Sequence, residues 1–158
     1  MSKLILGQSG FDQIALGYET NASQIEVRAF KVASTETSGI VPGTPVACTA
    51  NTQVYKEYAA SSEKFAGIAL ATNIKVDTVF PQSATEVKFM SGDNAGALIY
   101  GEIAVKLHGS APAEGAPVYY DFTNKAFTAT STNNTQIPGA RFMGRTNGNV
   151  TVIFVQYI

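Results

Sequence analysis

No stretch of this chain carries the apolar period of a long amphipathic helix; its apolar residues fall in short runs broken by Gly, Pro, Asn and Asp. The runs at 25–32, 46–49, 65–70, 86–90, 98–107, 118–122, 127–130 and 150–157 read as strands. The segments between them lack the ~10 to 15-residue helical patterns that parallel βαβ units need. The expected fold is therefore all-β, a single-domain β-sandwich of jellyroll-like type. At 158 residues the chain suits one domain, long enough to bury roughly 69% of its unfolded surface without a disulfide or metal. The lone Cys48 excludes an intramolecular disulfide and reads as a small buried hydrophobe.

Local patterns orient several of these strands. Ile25-Glu26-Val27-Arg28-Ala29 alternates apolar with charged, as a half-buried strand does, and the phase slip at Ala29-Phe30 suits a bulge. Val150 to Ile158 is apolar on both faces for much of its length, so it is central or is covered by a neighbouring subunit. Thr146-Asn147-Gly148-Asn149 predicts a hairpin with a type I′ turn, and Ser91-Gly92-Asp93-Asn94 a second turn. Gly43-Thr44-Pro45-Val46 and Gly115-Ala116-Pro117-Val118 share a Gly-x-Pro-Val pattern 72 residues apart (115 − 43). Each follows a strand and precedes a Phe-x-Gly, at Phe65 and Phe142. Two related β-halves packed face to face, or a shared turn grammar, account for the match. Residues 1–22 differ: Gly-rich and polar, with isolated Phe11, Ile14, Leu16 and Tyr18, they form an extended N-terminal arm laid on a partner or an edge segment, leaving 23–158 as the sandwich.

Charge and chemistry narrow the function. Only 15% of residues are charged, the net charge is −1, and the 11 basic residues are scattered. Such a surface docks on protein at low desolvation cost and lacks the basic clusters that phosphate contacts need, so no nucleic acid partner is expected. No apolar stretch reaches the ~18 residues of a membrane span, and 1–6 is cut short by Gly7-Gln8-Ser9-Gly10 before a signal-peptide core forms, so no membrane partner and synthesis in a cytoplasm are expected. One His and one Cys, 60 residues apart (108 − 48), make a nucleophilic pair implausible. His108 reads as a surface turn residue; no catalytic residue, metal site or cofactor is expected. Tyr55, Tyr58, Tyr100, Tyr119, Tyr120 and Tyr157 serve either as a binding face or as core and rim packing.

The succession Gly39-Ile40-Val41-Pro42-Gly43-Thr44-Pro45-Val46, Phe65-Ala66-Gly67-Ile68-Ala69-Leu70, Gly101-Glu102-Ile103-Ala104-Val105 and Ala113-Glu114-Gly115-Ala116-Pro117-Val118-Tyr119 resembles the structural cement (capsid decoration) proteins of tailed bacteriophages, across roughly residues 39–158. The N-terminal part departs from that pattern. The resemblance implies a non-enzymatic protein on the capsid exterior of the virion, made in the host cytoplasm. It implies a homodimer or homotrimer that bridges neighbouring copies of the major capsid protein and stabilises the shell. Phe11, Ile14, Leu16, Tyr18, Phe154 and Tyr157 are the expected partner contacts. The competing reading is a carbohydrate- or receptor-binding β-domain of a tail fibre or similar appendage, which would gather exposed tyrosines around a concave pocket.

Overall fold

The computed structural model describes residues 17, 19–71 and 88–157, with backbone alone for 19–24. Among the described residues there are nine strands: β1 (Glu19–Val32), β2 (Pro45–Cys48), β3 (Val54–Glu57), β4 (Lys64–Ala69), β5 (Asn94–Lys106), β6 (Pro117–Asp121), β7 (Ala126–Thr128), β8 (Thr135–Asn147) and β9 (Val150–Gln156). The all-β expectation holds, and there is no helix among the described residues. The strands do not divide into the two separate sheets of a jellyroll sandwich. Hydrogen bonding runs through a single sheet in the order β1-β3-β2-β4-β5-β9-β8-β6-β7, and β1 returns to pair with β5, closing a five-stranded barrel. Closure removes most of the edges that an open sheet would leave unsatisfied. Strand β1 meets β5 at Glu19↔Ile103 and Asn21↔Glu102 and resumes at Glu26↔Tyr100, so its register shifts across residue 22, where the sequence placed the boundary of the N-terminal segment.

The strand order is palindromic. Adding four to each strand of β3-β2-β4-β5 reproduces, reversed, the other half, β9-β8-β6-β7. The Gly-x-Pro-Val segments occupy equivalent places. The Thr44 N–H donates to the Val41 carbonyl and the Ala116 N–H to the Ala113 carbonyl, closing two turns with Gly43 (φ 87°) and Gly115 (φ 85°) at their third positions. The Gly43 N–H donates to Ala69, whose N–H returns a bond to Thr44; Gly115, Phe142 and Ala116 repeat that exchange. Barrel closure recurs too. In the first half the β1–β3 ladder is parallel at Val32↔Tyr55, and the Ala33 N–H donates to the Tyr55 carbonyl. In the second, Leu107 bridges Phe127 in parallel and the His108 N–H donates to the Phe127 carbonyl. Strand β5 thus closes the first half and opens the second, taking there the part that β1 takes in the first.

Two cores follow from this arrangement. Phe30, Val32, Ile40, Val46, Tyr55, Ala66, Ala69, Phe89, Ala95 and Ala97 fill the closed barrel. Phe65, Ile68, Leu70, Leu98, Ile103, Val118, Tyr120, Phe127, Ile137, Phe142, Ile153 and Val155 belong to the larger core that joins the halves. Strand β4 feeds both: Phe65 and Ile68 join the larger core and Ala66 and Ala69 the barrel core, a three-residue spacing that the register shift opposite Val46 and Ala47 allows. That is why 65–70 is apolar without interruption. Strand β9 is central, as its sequence requires, between β5 and β8. Its buried Thr151 donates its hydroxyl to the Arg145 carbonyl at 3.1 Å, so the one buried polar side chain of β9 is satisfied.

The turns require one correction. The hairpin at 147–150 is present, but Asn147 pairs with Val150, leaving Gly148 and Asn149 as the loop. Only Gly148 has positive φ (62°), the pattern of a type II′ turn rather than I′. The turn at 90–93 forms as expected, with the Asp93 N–H donating to the Met90 carbonyl. Of the expected strand at 86–90 the described part carries a single bridge, Ile40↔Phe89.

One carboxylate ties stability to pH. Burial works against ionisation of Glu63, yet the Lys56 ammonium and the Ala59 and Ala60 amides, all bonded to it, hold its carboxyl below the usual carboxylate range. A depressed folded value stabilises the fold above the ordinary carboxylate range, and this contribution disappears as pH falls through the depressed value. Glu63→Gln is expected to flatten the acid limb of the stability curve, measured by thermal melting between roughly pH 3 and 7.

Candidate interaction surface

The outer face of the β5-β9-β8 layer gathers aromatic and guanidinium groups on rigid strands. Pairing places Glu102 of β5 and Arg141 of β8 on either side of Phe154 in β9. The Tyr100 ring meets Phe154 edge-on, with centroids 5.2 Å apart and planes at 80°. The Arg141 guanidinium lies 4.4 Å from the Phe154 centroid on the opposite flank, a cation–π contact. Arg145 ion-pairs with Glu102, which fixes the long side chains in place. Tyr, Phe and Arg are the residue types that dominate protein–protein hot spots, since they offer large area and directional donors at small ordering cost.

Of the expected contact residues, Phe11, Ile14, Leu16 and Tyr18 lie outside the described residues. Phe154 sits in the cluster just described, half-exposed. Tyr157 does not join it. Its N–H donates to the Ile99 carbonyl, and its ring packs edge-on against Phe65 at 5.4 Å, on the core side of the sheet. Alternation separates the two, because 153, 155 and 157 face inward while 154 faces outward. Tyr100 was among the tyrosines weighed as a binding face, whereas Arg141 was not singled out by sequence reasoning. The partnership of Arg141 with Phe154 depends on a register that β8 shifts between Phe142 and Thr146.

The tyrosines divide between core and rim. Tyr55, Tyr58 and Tyr120 are buried, Tyr55 stacked on Phe30 at 4.7 Å and Tyr58 against Phe65, Tyr120 and Phe122. A cleft of about 290 Å³ between the 38–45 loop and the β6–β7 hairpin is lined by Lys88, Lys106, Lys125, Glu57 and, as its only tyrosine among the described residues, Tyr120. Burial, with the Glu57 and Asp121 charges, raises the Tyr120 hydroxyl far above its ordinary pKa, so it is a neutral donor. Neither His108 nor Cys48 lines this cleft. Cys48 packs half-buried against the barrel core, and His108 is exposed beyond β5, as their sequence context indicates. Among the described residues no three His, Cys, Asp or Glu side chains cluster as metal ligands would.

Comparisons with known proteins agree with one another. The family model described as "Structural cement protein (E217 gp24/Pam3 gp6)" matches residues 8–156. Among solved structures, a chain from the capsid of Myoviridae phage XM1 superposes with a TM-score of 0.68 at 20% identity, covering 92% of this chain and 91% of that one. At that identity the likeness is one of fold. No curated protein sequence matches.

Proposed function

This chain belongs to the phage structural cement protein family, and from that premise we propose that it decorates the outside of the assembled capsid, where it bridges neighbouring major capsid proteins and stabilises the shell. The observation that carries the reading is the family match from residue 8 to 156, nearly the whole chain. The fold shared with a phage XM1 capsid chain and the Tyr100–Phe154–Arg141 cluster on a rigid sheet support it. The protein works by adhesion, without a reacting centre. A cement protein that binds the shell, and not the free subunits, stabilises the shell by mass action. An oligomer that spans two capsid subunits multiplies modest single contacts through effective concentration.

Cosedimentation of the purified protein with undecorated, expanded heads tests this. Saturable binding at a fixed number of copies per head is expected; no binding to heads, with capture on a glycan array instead, would transfer the protein to the appendage-domain reading. Arg141→Glu places a carboxylate beside Phe154, on the face that already carries Glu102 across β9. It is expected to weaken head binding at least about tenfold while leaving the melting temperature within a few degrees, since the side chain is exposed. Titration of heads with the variant reads the effect.

A further inference from the structure

One strand carries a pattern that the single chain leaves unused. In Ile25-Glu26-Val27-Arg28-Ala29 the alternation predicts a half-buried strand, yet residues 26–29 are all exposed, and Val27, at 45%, is one of two exposed large hydrophobics among the described residues. One edge of β1 is paired with β5 through Glu26↔Tyr100 to Lys31↔Asn94. Its other edge pairs with β3 only at Lys31 and Val32, so among the described residues the edge from 26 to 30 has no partner.

The internal repeat shows what such an edge accepts. Strand β5 stands in the second half where β1 stands in the first, and each meets its parallel closing strand only near its end, β3 at Val32 and β7 beyond Lys106 at Leu107. Ahead of that closure β5 carries an antiparallel strand along the corresponding edge: β1 itself, opposite β9. The equivalent edge of β1 is the vacant one.

We propose that this edge is an isologous interface, in which β1 of a second copy of the chain pairs antiparallel about a two-fold axis through Val27. The sequence is self-complementary in that register. Val27 meets Val27 of the second copy, Ile25 meets Ala29, and each Glu26 faces an Arg28 across the axis. Within one strand Glu26 and Arg28 are two residues apart, about 7 Å along an extended backbone, and present their charges on the same face. Among the described residues neither side chain has an ion-pair or hydrogen-bond partner. Two charges of opposite sign, flanking an exposed valine on an edge that no described strand occupies, find their complement in a second copy. The dimer rests on the cement reading only for its purpose, which is to present two capsid-binding faces from one particle.

Light scattering and native mass measurement on the full chain test the interface without reference to capsids. The wild type is expected to be a dimer. Glu26→Arg and Arg28→Glu, each placing like charges opposite one another, are expected to raise the dimer dissociation constant at least about tenfold. The double variant restores opposite charges with their places exchanged, and it is expected to recover the dimer. Val27→Lys sets two ammonium groups face to face on the axis and is expected to yield monomer with an unchanged circular dichroism spectrum. A monomeric or trimeric wild type, a dimer indifferent to both single reversals, or a double variant that stays monomeric would overturn the interface. Cosedimentation of the same samples with heads separates this from the cement reading, since head binding by a wild-type monomer would sink only the interface.

Discussion

Gly67→Ala is expected to destabilise the protein by about 3 to 5 kcal/mol and to lower its melting temperature by roughly 10 °C. Gly67 lies in β4, in the wall shared by the two cores, at φ 134°, a backbone region almost reserved for glycine. A methyl group there would stand 2.7 Å from the Leu98 carbonyl oxygen and 3.1 Å from the Ala97 Cβ, both on β5. Neither neighbour can yield, because Ala97 and Leu98 are fully buried and pair with β4 on one edge and β1 on the other. Relief therefore requires β4 and β5 to separate, which opens the barrel. Gly92→Ala is the control. It has positive φ as well (86°) but open space around the site, so only the conformational cost of about 1 to 2 kcal/mol is expected. Urea unfolding of the two variants reads the difference; equal losses would show that the close approach at Gly67 is not what matters.

Phe142→Ala is expected to cost about 3 to 5 kcal/mol. The ring is fully buried in the larger core, and its backbone exchanges hydrogen bonds with Gly115 and Ala116 at the second Gly-x-Pro-Val turn. Core residues on rigid strands collapse poorly around a void, so the cavity persists and adds to the lost transfer energy. Phe154→Ala removes a ring of the same size from the outer face. It loses the edge-on contact with Tyr100 and the Arg141 contact, about 1 to 2 kcal/mol together. The two phenylalanines thus separate by function: the first is expected to move stability, the second head binding. Chemical unfolding measures the one and cosedimentation the other.

Much of this architecture was legible in the chain because strand sequences report their surroundings. The run at 65–70 marked a strand, and Val150 to Ile158, apolar on both faces, marked a central one, as β9 is between β5 and β8. The Gly-x-Pro-Val pair marked a repeat whose two turns share their hydrogen bonds. Closure was not legible. It depends on β1 meeting both β3 and β5, and β3 is only Val54-Tyr55-Lys56-Glu57, with no alternation to flag it. Nor was the composition of the outer face. Counting back from the hairpin, where Asn147 meets Val150, places Met143 opposite Phe154; the irregularity between Phe142 and Thr146 puts Arg141 there instead. A bulge moves every upstream partner, and although Gly144 (φ 73°) lies in the irregular stretch, a single glycine does not tell how far the register will shift. The exposed Glu26-Val27-Arg28 shows the reverse case, an alternation that signals burial which the single chain does not supply.

The central claim is that the protein adds stability to an assembled phage shell by adhering to it. The most direct measurement is the melting temperature of undecorated heads titrated with purified protein, followed by release of packaged DNA to a dye. The shell transition is expected to rise with occupancy and to level off at saturation, as binding to the shell alone requires. A shell that takes up the protein to saturation and melts where it did before would contradict the claim.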